Sequence, residues 1–217
     1  MRDLVIKPLT RADVWQVAAL HAEAFPESTL TALGIDVLER YYAWLLDGVH
    51  DAQITGAWHG QELAGFCAAG VFRGAMSGFL RANRPFLFYR VLRRPALLLH
   101  ATFRERLRSG LAITLRFSRR ISTLAARSRA SVHTNGSPNF GVLSIATSHQ
   151  VRGHGVGRAL MLDAEARART QGFKRMTLTV HPENTRAVRF YRELGWMQTL
   201  NEGVWSGAMH RVLDGGS

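Results

Sequence analysis

The sequence predicts an α/β (α+β) domain, and three observations carry that prediction. Apolar runs with strand composition recur along the chain: Leu4 to Pro8, Ala52 to His59, Leu63 to Phe72, Val142 to Thr147 and Met176 to Val180. Between them lie segments whose apolar residues return at helical spacing. A glycine-rich turn, Arg152-Gly153-His154-Gly155-Val156-Gly157, joins one of these strands to a long amphipathic helix. With 217 residues, 47% of them hydrophobic, the chain can bury one sizeable core, or a core plus an insertion. Residues 1–217 are therefore read as a single domain.

In order, Leu4 to Pro8 is a first strand, and Thr10-Arg11-Ala12-Asp13 reads as a helix N-cap, with Asp13 placing negative charge in the first turn. This helix runs to about Ala24. Phe25-Pro26-Glu27-Ser28-Thr29 breaks the pattern, and Leu38, Tyr41, Tyr42, Leu45 and Leu46 then mark a second helix. Ala52 to His59 and Leu63 to Phe72 flank Gly60-Gln61, which predicts a hairpin. After the glycine-rich turn, apolar spacing from Arg158 to Gln171 predicts a helix that Gly172 stops. Met176 to Val180 is a further strand. Asn184 to Tyr191 begins a short helix, closed by Glu193-Leu194-Gly195-Trp196.

The glycine-rich turn is suited to an anion. Its glycines let backbone N–H groups approach phosphate oxygens with no Cβ in the way. The following helix adds unpaired N–H groups and the positive end of its macrodipole, and Arg152 and Arg158 add charge. Tight turns also use glycine for steric reasons alone, so the turn needs support from elsewhere in the chain. A P-loop would require Lys-Ser or Lys-Thr after the last glycine, where Arg158-Ala159 stands. A dinucleotide fold would place its glycine loop in an opening βαβ unit, whereas this loop follows residue 150.

The support lies downstream. Arg152-x-x-Gly155-x-Gly157, then a strand, then Asn184-x-x-Ala187-x-x-Phe190-Tyr191-x-x-x-Gly195-Trp196 resembles the two-part signature of the GNAT N-acetyltransferase superfamily. The resemblance is dense from Val142 to about Met197 and thinner from residue 3 to residue 72. It implies a GNAT fold: a mixed, mostly antiparallel sheet flanked by helices. The strands ending near Thr147 and Val180 would splay apart to admit the pantetheine arm of acetyl-CoA, the acyl donor. It also implies direct attack of a primary amine on the thioester, with no metal.

On that resemblance Arg152, Gly153, His154, Gly155, Val156, Gly157 and Arg158 would cradle the pyrophosphate. The backbone of Ile145, Ala146 and Thr147 would polarise the thioester carbonyl and pair with pantetheine amides. Tyr191 would protonate the departing thiolate, since its hydroxyl carries a proton at neutral pH on a rigid ring. Asn184 would position the cofactor or merely cap its helix. The general base is not legible: the strand before the loop offers Ser144 and no acid, and Glu23, Glu27, His133 and His181 are the candidates. The leading function is N-acetylation of a small amine, an amino sugar among the candidates. The alternatives are a protein or peptide N-terminal acetyltransferase and a non-catalytic acyl-CoA-binding module that docks on membranes.

Charge is concentrated in one stretch. From Arg73 to Ala130 fourteen arginines face a single acid, Glu105, a balance of +13 against +12 for the whole chain. The stretch falls between the third and fourth strands, and residues 73–135 are read as an arginine-rich insertion whose helices Pro85 and Pro95 limit. Phe86, Leu87, Tyr89, Val91 and Leu92 make it too apolar for a disordered tail. Its apolar side would pack on the catalytic domain or on a second copy, making a homodimer, or residues 73–130 would meet an anionic membrane surface. Nucleic acid is not expected, because charge alone is weak evidence for it. Arginine outnumbers lysine 26 to 2, so the preference for arginine within the insertion carries little information.

Cys67 is the only cysteine and lies in an apolar run, which predicts core packing and no disulfide. Met1 to Lys7 leads into a strand with no apolar signal core. No charge-free apolar run reaches about 18 residues. A cytoplasmic protein, peripheral to the inner membrane face if the insertion docks there, is the expectation.

Overall fold

The structure is a computed structural model that describes residues 4–48, 50–72, 74–93 and 139–213. Strands β1 (Leu4–Pro8), β2 (Asp51–His59), β3 (Glu62–Val71), β4 (Phe140–Thr147), β5 (Arg175–Thr179), β6 (Met197–Asn201) and β7 (Val204–Val212) form one sheet. Their order is β1-β2-β3-β4-β5-β7-β6. Neighbours are antiparallel throughout, except β4 and β5, which run parallel. A parallel pair needs a crossover, and the glycine-rich turn with helix α6 (Val156–Thr170) supplies it. This is the mixed, mostly antiparallel sheet expected from the sequence.

Helices cover both faces. On one, α1 (Val14–Ala24), the short α2 (Thr29–Leu33) and α3 (Ile35–Asp47) bury Val17, Val37, Leu38, Tyr42 and Phe66 in a common cluster. On the other, α6 and α7 (Thr185–Glu193) bury Leu160, Met161, Met176, Val188 and Tyr191. Strand β3 serves both layers: Phe66 and Ala68 point to the first cluster, Cys67 and Ala69 to the second. A strand covered on both faces reads as a continuous apolar run, which is why Leu63 to Phe72 shows no alternation. Cys67 is fully buried there, and burial pushes its thiol up to about 12, so it packs as an inert apolar group.

Local signals account for most boundaries. The Asp13 carboxylate accepts from both the Thr10 N–H (2.8 Å) and the Thr10 hydroxyl (2.7 Å), closing a 3-10 turn at Arg11–Asp13 that leads into α1. The break expected at Phe25 to Thr29 leads into α2, a helix the sequence reading did not include, capped by Ser28 Oγ accepting from the Thr31 N–H and ended by Gly34 at φ 122. Five residues are too few to show a helical period; Ser28 and Gly34 hold the ends of this helix and Leu33 buries it against the core.

The described part of the insertion forms α4 (Ala75–Ala82) and α5 (Arg84–Arg93), with Pro85 in the first turn of α5. Phe79 is fully buried, with its ring edge-on to Tyr41 at 5.2 Å. The Trp44 indole donates to the Ala75 carbonyl at 3.0 Å, Arg90 pairs with Asp36, and the Arg40 guanidinium lies 4.1 Å above the Phe86 ring. Residues 94–138, with Pro95 and most of the arginines, lie outside the described residues.

Two irregularities shape the middle of the sheet. Ala68 pairs with Ser144 but Ala69 pairs with Val142, so Leu143 is an extra, bulged residue in β4. On the other side of β4, pairing with β5 covers only Phe140, Gly141 and Val142 and stops at the same point. Gly207 of β7 is the second irregularity. It has φ 99, accepts from the Val180 N–H at 2.9 Å, and a Cβ there would lie 2.1 Å from the Val180 carbonyl oxygen. Beyond these points β4 and β5 diverge.

Candidate active site

The divergence opens a cleft of about 910 Å3 walled by the free half of β4, the end of β5, the glycine-rich turn, α7 and the end of α1 with its following loop. Ile145, Ala146 and Thr147 line it, still paired to β3 on their far side through Cys67, Phe66 and Gly65. The edge they turn toward β5 has no strand partner, so their backbone groups are available to an extended amide chain. Leu178, Thr179 and Val180 form the opposite wall.

One end of the cleft is the turn. Gly153 (φ 82) and Gly155 (φ 81) both hold the left-handed conformation, and each faces open space where a Cβ would stand. Helix α6 begins at Val156, so the N–H groups of its first turn have no carbonyl one turn earlier and remain available to an anion. Gly157 therefore belongs to the helix, where a Cβ would lie 3.4 Å from the Phe190 ring. Arg152 and Arg158 line the cleft. His154 does not line it: its ring is exposed and its N–H donates to the Val151 carbonyl at 3.2 Å, so the turn consumes the amide that the sequence reading gave to a phosphate.

Tyr191 enters from α7. It is 8% exposed, sits between Phe190 and Trp196, and lines the cleft opposite β4. Burial first, and the nearby Cys67 thiol second, push its hydroxyl up from the ordinary phenol range, so it holds its proton through neutral pH. Its hydroxyl makes no hydrogen bond to another described residue. Asn184, also at the cleft, caps α7 with its Oδ1 accepting from the Ala187 N–H at 3.1 Å.

The base candidates part company. Glu23 accepts from the His149 ring at 2.5 Å and from the His149 N–H at 3.1 Å, which holds its carboxyl below the usual range, and it does not line the cleft. Glu27 is exposed and also outside the lining. His181 lines the cleft, mostly exposed and 4.0 Å from Glu183. His133 lies outside the described residues. Among the described residues no cluster of histidine, cysteine and carboxylate side chains is arranged to hold a metal ion.

Helix α1 and the loop after it add residues to the cleft wall that the sequence reading did not name one by one. His21 and Ser28 line the cleft together with Ala24 and Phe25. His21 is buried, and burial lowers it to about 4, so it is neutral at pH 7. The available signal was a histidine on the apolar stripe of α1, in step with Val14, Val17 and Ala18.

The model of the GNAT acetyltransferase family matches residues 14–196, which spans both halves of the signature and the first two helices. The chain belongs to the GNAT acetyltransferase family. Among curated proteins no relative matches this acetyltransferase. Solved structures share its fold across nearly the whole chain. The PaiA N-acetyltransferase of Thermoplasma acidophilum, solved with coenzyme A, is 12% identical with TM-score 0.55, over 97% of this chain and 99% of that one. The ribosomal-protein-alanine N-acetyltransferase of Brucella melitensis is 17% identical with TM-score 0.54, over 97% and 100%. An N-acetyltransferase of Staphylococcus aureus is 11% identical with TM-score 0.55, over 98% and 99%. Identities this low carry the fold and leave the acceptor of this GNAT acetyltransferase to be argued from its own cleft.

Proposed function

We propose that the protein transfers the acetyl group of acetyl-CoA to the primary amine of a small molecule, by direct attack, in the cytoplasm. The observation that carries this reading is the meeting of three elements in one cleft: a strand edge without a partner, a helix N-terminus behind two left-handed glycines, and the protonated Tyr191. The turn supplies amides and Arg152 and Arg158 for the pyrophosphate, and the free edge of Ile145 to Thr147 pairs with the pantetheine arm. That register brings the thioester to the bulge, within the field of β4 backbone amides that stabilise the carbonyl oxygen as it gains charge. Tyr191 then gives its proton to the departing sulfur.

The acceptor end is lined by neutral hydrogen-bonding groups, His21, Ser28 and Ser144, with Phe25 beside them. Such a lining suits a polyhydroxylated amine, and it supports an amino sugar over a cationic or strongly acidic acceptor. A peptide N-terminus is the second reading, supported by the fold neighbours named as ribosomal-protein-alanine N-acetyltransferases. Steady release of free thiol from acetyl-CoA with amino sugars, small diamines and short peptides separates the two. Turnover confined to peptides would overturn the small-molecule reading, and no release with any amine would overturn acetyl transfer.

A peripheral membrane contact through the insertion is supported by α4 and α5. Leu80 (45%), Phe88 (72%) and Leu92 (68%) are exposed there among Arg81, Arg84 and Arg93. Among the described residues no helix is long and apolar enough to cross a membrane.

A further inference from the structure

Strand β4 brings no carboxylate to the cleft, yet Ser144 is not isolated. Its Oγ lies 3.3 Å from the Tyr42 hydroxyl, which lies 2.7 Å from His21 Nδ1, and His21 Nε2 lies 3.2 Å from Ser28 Oγ. The chain leaves the cleft at Ser144, passes through Tyr42 in the core between β4 and the α1 and α3 helices, and reaches the cleft again at His21 and Ser28.

The contacts around Ser28 admit a polarity that carries a proton from Ser144 to His21. The Thr31 hydroxyl gives its proton to the Phe25 carbonyl at 2.8 Å, while the Thr31 N–H donates to Ser28 Oγ at 3.2 Å. In this polarity the second lone pair of Ser28 takes the His21 Nε2–H, leaving the Ser28 proton for the cleft. Nδ1 is then the unprotonated nitrogen, accepting from the Tyr42 hydroxyl, and the Tyr42 oxygen accepts from Ser144. Ser144 is left with lone pairs facing the cleft.

We propose that His21 is the general base of acyl transfer, receiving the acceptor amine's proton through Ser144 and Tyr42. The proposal rests on the reading of the cleft as the site of acetyl transfer. As the C–N bond forms and the C–S bond breaks, the nitrogen gives a proton to Ser144 Oγ, Ser144 gives its own to Tyr42, and Tyr42 gives its own to His21 Nδ1. Each hydroxyl gains one proton and loses one, and His21 becomes an imidazolium whose Nε2–H is held by Ser28. Once the product leaves, the same steps run backwards and return the proton to water in the cleft. Burial lowers His21 to about 4, so its lone pair is free at pH 7.

The surroundings of His21 carry no competing charge. Tyr42 faces it from α3 with Tyr41 beyond, Ser144 is reached from β4, and Phe25 and Ser28 close the loop side, the Phe25 ring at 4.9 Å. Glu23 of the same helix is engaged by His149. Among the described residues no carboxylate, lysine or arginine makes a hydrogen bond or an ion pair with His21.

Tyr42→Phe keeps the ring that packs on Phe66 at 5.3 Å and removes only the relay oxygen. With an acceptor amine that is already neutral at pH 7, kcat is expected to fall about 10²-fold at pH 7 with the KM for acetyl-CoA unchanged, and to recover as pH rises and hydroxide takes the proton. Ser144→Ala, at the cleft wall, should give the same profile without touching the core. A loss equal at every pH would overturn the proposal and leave a packing role. Nitrogen-15 NMR of His21 provides a readout that needs no turnover: the neutral Nε2–H form is expected in the free protein, and the Nδ1–H form would reverse the relay and overturn it. Absence of thiol release by the wild-type protein would count against acetyl transfer, whereas a flat Tyr42→Phe profile beside active wild type would count against the relay alone.

Discussion

At the scale of single residues, burial decides which groups hold protons. Tyr191 is kept protonated by its surroundings, so Tyr191→Phe removes a proton donor without removing a ring. The expected result is a loss of about 10²-fold in kcat under saturating substrates, with coenzyme A affinity retained, read as thiol release and by calorimetry. His21 carries a pH signature in stability. A histidine in the unfolded chain takes up its proton near 6.5, but His21 in the folded chain does so only near 4. As pH falls through that window the unfolded state binds the proton first, so stability present above 6.5 is lost toward 4, by about 3 kcal/mol at most. Denaturant titrations at pH 7 and pH 4.5 should show that loss in the wild type and a smaller one in His21→Gln. Asn184 shows the other side of this scale: its side-chain oxygen is engaged by the Ala187 N–H and caps α7 at the cleft.

At the scale of elements, the cleft exists because two strands stop pairing. The Leu143 bulge turns β4, and Gly207 lets β7 take up the end of β5 at Val180. Gly207→Ala would place a methyl group 2.1 Å from the Val180 carbonyl oxygen at φ 99. A cost of about 3 kcal/mol or more is expected, seen as a lowered thermal midpoint together with weakened coenzyme A binding. A lowered midpoint with unchanged binding would separate Gly207 from the cleft. Most elements were legible because each carries its own local signal: the Thr10 and Asp13 box, the Gly60-Gln61 hairpin, the apolar stripe of α6. The bulge was not, because Val142 to Thr147 reads as an unbroken strand and only the pairing with β3 shows Leu143 to be supernumerary. Helix α2 escaped for want of length. His154 stands outside the cleft lining, and a spacing pattern does not say which amide the turn itself consumes.

At the scale of the whole molecule, charge and apolar surface come together on α4 and α5, away from the cleft lining. Buried Phe79 and the Arg90 to Asp36 pair attach these helices to α3, while Phe88 and Leu92 face outward with arginines around them. That combination predicts sedimentation of the protein with anionic vesicles at low salt and its release at high salt, with neutral vesicles left unbound. No binding at low salt would overturn the membrane contact, and a dimer on sizing would turn the same face toward a second copy.

The amino-acid order alone was enough for the fold class and for the acyl-CoA motif, because helical period, strand composition and the glycine and asparagine spacings are local properties that survive without neighbours. Which groups share the cleft was settled by packing. Ser28, His21, Tyr42 and Ser144 stand up to about 120 residues apart and carry no common pattern; they become one hydrogen-bonded chain only because α1 and α3 lie against β4 and close the distance. A proton relay depends on separations of about 3 Å across the core, and no spacing along the chain encodes those.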